Sequence, residues 1–262
     1  MITMDTPSSL DFLGEIPRLT EEDVHLWSFS FPSLVSHLEQ FQSYLSAAER
    51  KRIAKIINLN FKQQHIISRG LLRHLLAFYL GKKPADIEII LSLNGKPALR
   101  AADNLENFTF NVSHSLENIL IAVGKNQDLG VDIEYVNGRT EIDNLIPAIC
   151  STREQNYLRA NPNDKSVRDY FFYLWTRKEA LLKNTGEGIT VDLTHYDVTM
   201  ASEKQHPIAS KIIPIERGIV LHSLKIGQAY WASIAKKGAI NNLFLWVSPN
   251  IVAGFYTSQS PA

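Results

Sequence analysis

Asp132 and Glu134, in the run Gly130-Val131-Asp132-Ile133-Glu134, are the residues in this chain best suited by type and spacing to do chemistry. One residue separates them. On a β-strand side chains alternate faces, so both carboxylates point one way while Val131 and Ile133 point the other. Carboxylates held this close repel unless a cation or water lies between them. Hard oxygen donors of this kind suit Mg²⁺, which takes a few carboxylates and completes its shell with water and substrate phosphate. The same segment also fits a polar strand face turned to solvent. A third acid, Glu179, lies in Trp175-Thr176-Arg177-Lys178-Glu179-Ala180-Leu181-Leu182-Lys183. Trp175, Glu179 and Lys183 are four apart and form one stripe down a helix. That stripe reads either as part of a site or as a surface ion pair worth roughly a few tenths of a kcal/mol.

Phosphate-binding groups come from three further segments. Asn94-Gly95-Lys96-Pro97 sets a lysine in a tight turn, where Gly95 permits an unusual backbone and Pro97 fixes the next residue. Asn111-Val112-Ser113-His114-Ser115 ends a strand with a run of hydrogen-bonding side chains. Ser113 and His114 are adjacent and so face opposite ways, which argues against a nucleophile–base pair. No Gly-x-Ser-x-Gly elbow supports hydrolase chemistry. Arg52, Lys55, Arg69 and Arg73 add cations, and arginine is the side chain that forks onto phosphate.

These residues need elements to hold them. Val24–Phe31 alternates and reads as a strand with Trp27, Phe29 and Phe31 on one face. Ser46-Ala47-Ala48-Glu49 has capping-box form and opens a basic helical segment. Gln63–Leu80 is helical in pattern and is ended by Gly81 and Pro84. Strands follow at Ile87–Leu91, Phe108–Ser113, Asn118–Val123 and Leu129–Glu134. A helical region covers Pro147–Ala160, and an aromatic-rich helix runs over Ser166–Thr185 to Gly186 and Gly188. The last third alternates short β-like runs with turns, Tyr230–Ala235 being the clearest. Helix, strands, helix, strands predicts an α+β fold with two lobes meeting near residue 125.

Bulk properties exclude several classes. The chain of 262 residues has a formal net charge of zero, so bulk charge does not attract a polyanion and nucleic-acid binding is not expected. Cys150 is the only cysteine, which rules out an internal disulfide and a cysteine-based zinc site and suits a reducing cytoplasm. Met1–Glu15 lacks a secretory pattern, and no apolar run is long enough to span a membrane. A soluble cytoplasmic protein with no membrane partner is expected. No Gly-x-x-x-x-Gly-Lys-Ser/Thr loop is present, which removes one class of phosphoryl or nucleotidyl transferase.

Taken in order, Gly95-Lys96-Pro97, Phe110-Asn111-Val112-Ser113-His114-Ser115, Gly130-Val131-Asp132-Ile133-Glu134 and Trp175-x-x-Lys178-Glu179-Ala180-x-x-Lys183 resemble the 4′-phosphopantetheinyl transferase superfamily, in its monomeric, surfactin-synthetase-activating branch. The resemblance spans roughly residues 20–200. It implies two similar lobes related by a pseudo-twofold, each a small, mostly antiparallel sheet packed with helices, with the active site in the cleft between them. Residues 1–18 would be a flexible leader, 19–125 the N-terminal lobe and 126–262 the C-terminal lobe. It further implies transfer of 4′-phosphopantetheine from coenzyme A to a serine of an apo acyl, polyketide-synthase or peptide-synthetase carrier protein. Asp132, Glu134 and Glu179 would hold Mg²⁺, and Asp132, Glu179 and Lys183 would carry the catalysis. Arg52, Arg69, Lys96, Pro97, Ser113, His114, Lys178 and Lys183 would contact coenzyme A. Glu154 matches a further acidic position near the metal, and Trp175 an aromatic beside the site. Cys150 departs from the phenylalanine of many relatives. A non-catalytic relative would have lost one of the carboxylates, and all three are acidic here.

Overall fold

The computed structural model describes residues 16–92, 95–161, 163–186, 191–199, 213–215 and 218–247. The expected leader falls largely on residues 1–15, outside the described residues. Strand β1 is Asp23–Ser30, and Pro32 follows in the short helix α1, Phe31–Leu34. Phe31 therefore belongs to the helix rather than the strand. Both faces of β1 are buried: Trp27 and Phe29 pack under helices, and Val24 and Leu26 pack toward the second half of the chain.

Helices α2 (Leu38–Tyr44), α3 (Ala47–Ile53) and α4 (Leu59–Leu80) come next. The capping box expected at Ser46 and Glu49 is present on α3. Asn58 caps α4 through its side chain, and Gly81 ends it in the left-handed conformation. The α4 stripe Leu71, Leu72, Leu75 and Leu76 is buried against β1 and its neighbours. Gly70 is required there, because a Cβ would stand 2.2 Å from Cβ of Phe41.

Beyond α4 the strands are β2 (Ile89–Leu91), β3 (Pro97–Leu99), β4 (Phe108–Ser115), β5 (Asn118–Lys125) and β6 (Leu129–Tyr135). The helical region expected over Pro147–Ala160 is two helices, α5 (Ile142–Ile149) and α6 (Thr152–Ala160). Ser151 separates them by capping α6, and its side chain accepts from the Glu154 N–H. Helix α7 (Asp164–Thr185) begins at the Asn163 cap and ends at left-handed Gly186. Strands β7 (Ile213–Ile215), β8 (Ile219–Ile226), β9 (Tyr230–Lys237) and β10 (Asn242–Val247) complete the described chain.

The result is an α+β fold of small, mostly antiparallel sheets with helices. One sheet has the order β10-β1-β5-β4, another β6-β9-β8-β7, and β2-β3 is a separate hairpin. Among the described strands only β1 and β10 pair in parallel, so the last of them returns to the first sheet. One apolar core lies between the first sheet and α4, and a second between β8, β9 and α7. A third joins the sheets through Leu26, Leu120, Val131, Ile133 and Ile234. Among the described residues, no helix is long and apolar enough to cross a membrane.

Two histidines are fully buried in these sheets. His25 reaches the Tyr79 hydroxyl at 2.7 Å, whereas neither ring nitrogen of His222 has a partner among the described residues. Burial pulls each imidazole down to about 4 from the ordinary 6.5. As pH falls, the unfolded chain takes up these protons near 6.5 and the native chain only near 4, so stability is lost through that window. The loss should reach on the order of 2–3 kcal/mol per histidine. Urea midpoints between pH 7 and pH 4.5 should fall, and His222→Leu should flatten the decline. Equal slopes in the two proteins would refute this account.

Candidate active site

Asp132 and Glu134 lie on β6 opposite Ser233 and Trp231 of β9, and their side chains turn toward α7. Gly130 allows that approach. A Cβ at this position would stand 2.1 Å from the Ala180 carbonyl oxygen and 2.4 Å from the Asn184 nitrogen, both backbone atoms of α7. The strand bearing two carboxylates therefore presses against the helix bearing Glu179 and Lys183. Lys183 Nζ donates to Asp132 Oδ1 at 2.7 Å and to Ser113 Oγ at 3.0 Å.

Strand β4 closes the other side of β6. Val131 N–H donates to Asn111 Oδ1 at 2.9 Å, Ile133 N–H to Ser113 Oγ at 3.4 Å and Tyr135 N–H to Ser115 Oγ at 3.1 Å. The two hydroxyls then donate to the carboxylates, Ser113 to Asp132 Oδ1 at 2.8 Å and Ser115 to Glu134 Oε2 at 2.7 Å. Alternate residues of β4 thus satisfy the free edge of β6 and orient its two acids. Asn111 and Ser115, not named as candidates from the sequence, thus act together with Ser113. The signal was the spacing 111, 113, 115, which puts all three on one side of a strand.

Burial raises all three acids. Asp132, 3% exposed, is pushed above the usual carboxylate range by desolvation, against the pull of Lys183. Glu134 rises to about 7 through burial and then through repulsion by Asp132, with Ser115 and Trp175 opposing. Glu179 is raised by burial and by the charge of Asp132, so strand and helix acids share one electrostatic environment. Asp132 Oδ2 is buried and has no hydrogen-bond partner among the described residues. Hard oxygen donors, displaced toward neutrality by burial and by one another, are the chemistry that a divalent cation relieves. The donor set fits Mg²⁺ in that sense. Among the described residues, however, no group of three His, Cys, Asp or Glu side chains is gathered into a ready coordination shell, and the ammonium of Lys183 rests on Asp132 instead.

The remaining expected residues divide. Arg69 and His114 line a cavity of about 540 Å³ with His65 and Ser68, and Pro97 borders it. Desolvation, and then the charge of Lys183, hold the His114 imidazole below its ordinary value. Arg52 is exposed at the end of α3 and lies close enough to Arg69 for the two charges to repel. Lys96 borders a second cavity of about 530 Å³, which Pro97 also lines. Its Nζ donates to the Asn184 carbonyl at 3.2 Å and sits 3.7 Å from Asp128. Gly95 has the expected left-handed backbone, φ +76°, while Asn94 lies outside the described residues. Arg73 is not turned to a cavity, because its guanidinium is used by Glu49 and by the Pro84 and Ile87 carbonyls.

Lys178 does not join these groups. It is fully buried on the far side of α7, 2.6 Å from Glu154, and also donates to the Ile149 and Leu193 carbonyls. Successive helix positions are about 100° apart, so neighbours Lys178 and Glu179 face different ways. Glu154 is correspondingly a structural acid: it accepts from the Ser151 and Val198 N–H groups and pairs with Lys178 rather than reaching the cluster at Asp132.

Two family profiles match this chain. The 4′-phosphopantetheinyl transferase superfamily matches residues 128–235, and the N-terminal region of 4′-phosphopantetheinyl transferases matches residues 30–126. The 4′-phosphopantetheinyl transferase HetI of Nostoc sp. is 32% identical over 180 residues, which cover 68% of this chain and 76% of that protein. The chain belongs to the 4′-phosphopantetheinyl transferase superfamily. The 4′-phosphopantetheinyl transferase Sfp of Bacillus subtilis is 27% identical over 167 residues, covering 64% of this chain and 71% of that protein. AcpT of Escherichia coli O157:H7, also named a 4′-phosphopantetheinyl transferase, is 30% identical over 148 residues, covering 55% and 70%. The 128–235 match takes in the whole of β6 and α7 and most of β9, the elements that bring the three acids and Lys183 together.

Asn111→Ala should leave the buried Val131 N–H unpaired and cost about 1–3 kcal/mol in denaturant unfolding. Gly130→Ala should destabilise the protein more, because backbone rather than a side chain must move. A Gly130→Ala protein as stable as wild type would contradict the close approach of β6 to α7.

Proposed function

We propose that this protein transfers the 4′-phosphopantetheine group of coenzyme A to a serine hydroxyl of an apo acyl, polyketide-synthase or peptide-synthetase carrier protein. The products are the holo carrier and 3′,5′-ADP. The observation that carries this reading is the cluster of buried Asp132 with half-buried Glu134, Glu179 and Lys183, in a protein whose cavity lined by Arg69 and His114 is within electrostatic reach of Lys183 through His114. Acids and cations at such a junction suit a pyrophosphate and a reacting hydroxyl. In this reading the two sheets, each with its 22-residue helix α4 or α7, form two similar lobes with the reaction in the cleft between them. The named residues come from one chain, which fits a monomer, and the single cysteine fits a cytoplasmic setting.

Asp132 and Glu134, with Glu179, would hold Mg²⁺, and the ion when bound would supply Lewis-acid neutralisation of pyrophosphate charge. Ser113 and Ser115 hold the two strand carboxylates in position. Arg69 and His114, with Lys96 and Arg52 at the margins, bind the phosphate groups of the nucleotide. Lys183 faces the pyrophosphate and stabilises the negative charge that builds on its oxygens. Glu179 accepts the proton of the carrier serine. A free glutamate near ~4.3 is a weak base for this task, and the upward displacement of Glu179 by burial improves the match. The serine oxygen forms a bond to the β-phosphorus, the bond to 3′,5′-ADP breaks, and that group leaves with the electron pair.

Incubation with coenzyme A, Mg²⁺ and a panel of apo carriers should add the mass of phosphopantetheine to one of them. Asp132→Ala should abolish transfer in a folded protein, and Lys183→Ala should raise KM for coenzyme A as well as lower kcat. Coenzyme A with Mg²⁺, but not ATP with Mg²⁺, should raise the melting temperature. Near-normal transfer by Asp132→Ala with Mg²⁺ present would end the proposed role of that carboxylate.

A further inference from the structure

The elbow between α3 and α4 is unlike the rest of this charge-balanced protein. From Arg50 to Lys62 the sequence carries Arg50, Lys51, Arg52, Lys55 and Lys62 and no acid, on a chain whose formal net charge is zero. The nearest acid, Glu49, is taken up by its capping box and by Arg73 at 2.8 Å. Large apolar side chains stand in the same short stretch: Ile57 is 95% exposed, Leu59 72% and Phe61 58%. Single exposed apolar residues need no explanation, but a cluster within a cationic rim marks a contact surface.

This elbow is continuous with the site. Phe61 lines the cavity that holds Arg69 and His114, and so does Leu116, at the tip of the β4–β5 hairpin. Leu116 is 62% exposed and has a left-handed backbone, φ +51°, a conformation disfavoured for a residue with a branched side chain. An apolar side chain is thus displayed at unfavourable geometry on the lip opposite Phe61. Gln64 of α4 donates to the Leu116 carbonyl at 3.5 Å, tying the hairpin tip to the helix.

We infer that the elbow, with Ile57 and Leu59 as apolar anchors and Lys51 and Lys55 on its rim, is where the carrier protein docks, through an anionic surface bearing apolar residues beside its acceptor serine. The inference rests on the transferase reading and names the surface that reading leaves open. Charge complementarity selects the partner: a cationic, acid-free rim repels a basic protein and steers an acidic one. The location selects it too, since Phe61 joins the elbow to the cavity lined by Arg69 and His114. Coenzyme A, by contrast, has the cavity beneath that lip. The Ile57 and Leu59 side chains, turned almost wholly outward, are left for a macromolecule.

The test uses a carrier that the wild-type protein modifies, and its Ser→Ala form for binding without turnover. Ile57→Asp/Leu59→Asp should raise carrier KM and the calorimetric Kd for the Ser→Ala carrier by about tenfold or more. KM for coenzyme A should stay within about twofold of wild type, because truncating a contact surface leaves the nucleotide cavity intact. Lys51→Glu should weaken carrier binding at low salt and lose its effect as salt is raised. Both variants alter exposed side chains, and an unchanged melting temperature verifies their fold. An unchanged carrier Kd in both variants overturns the inference, as does a rise in coenzyme A KM equal to the rise in carrier KM. Failure of the wild-type protein to modify any carrier would instead overturn the transferase reading, so the two failures are distinguishable.

Discussion

Two sheet edges meet along β4 and β6 without a shared backbone ladder, and side chains close the seam. Asn111, Ser113 and Ser115 take the places that carbonyl oxygens of a neighbouring strand would fill, accepting from the N–H groups of Val131, Ile133 and Tyr135. An open strand edge leaves a row of polar groups that must be paired or wetted. Pairing them with hydroxyls rather than with a strand has a chemical consequence. A hydroxyl that accepts from the backbone still has a proton to donate, and Ser113 and Ser115 donate theirs to Asp132 and Glu134. The junction between the sheets and the orientation of the acids are therefore one arrangement.

The opposite side of β6 is set by contact rather than by hydrogen bonding. With no Cβ at Gly130, the α7 backbone lies directly on the strand, which brings Lys183 within 2.7 Å of Asp132. Burial raises all three carboxylates, and the charge of Asp132 raises Glu134 and Glu179 further. Such a set is unfavourable for folding by itself, since each acid is harder to ionise than in water. It persists because serines, Lys183 and Trp175 offset part of the penalty. Strain and buried charge of this kind collect where a protein does chemistry.

The charge pattern of α7 shows why neighbours in a motif need not share a role. Arg177, Lys178 and Glu179 are consecutive, yet Arg177 is bonded to the Val198 carbonyl and Ser223, Lys178 to Glu154, and Glu179 lies beside Asp132. Two of the three charges hold α5, α6 and β8 around the helix. Lys178 is thus tied to the frame that carries Glu179.

Much of this was legible in the sequence. Strand alternation placed Asp132 and Glu134 on one face, helical spacing put Glu179 in line with Lys183, and cap residues marked the start of α3 and the ends of α4 and α7, whereas the Asn58 and Asn163 caps went unread. These are local properties, fixed by the period of the backbone and by the chemistry of a few side chains. What the sequence left open depended on which surfaces meet. Lys178 and Glu154 are charged and look available, but the fold buries them against each other, and only three-dimensional packing decides that. Asn111 and Ser115 look like ordinary polar residues until β6 is laid beside β4. The cationic elbow was plain in the sequence as a run of charge, yet its connection to the site through Phe61 and Leu116 needed the hairpin tip and α4 to be placed together. Local pattern determined the elements and their faces. Tertiary structure decided which charges serve the core and which the site, because desolvation and pairing are properties of a position in space rather than of a position in the chain.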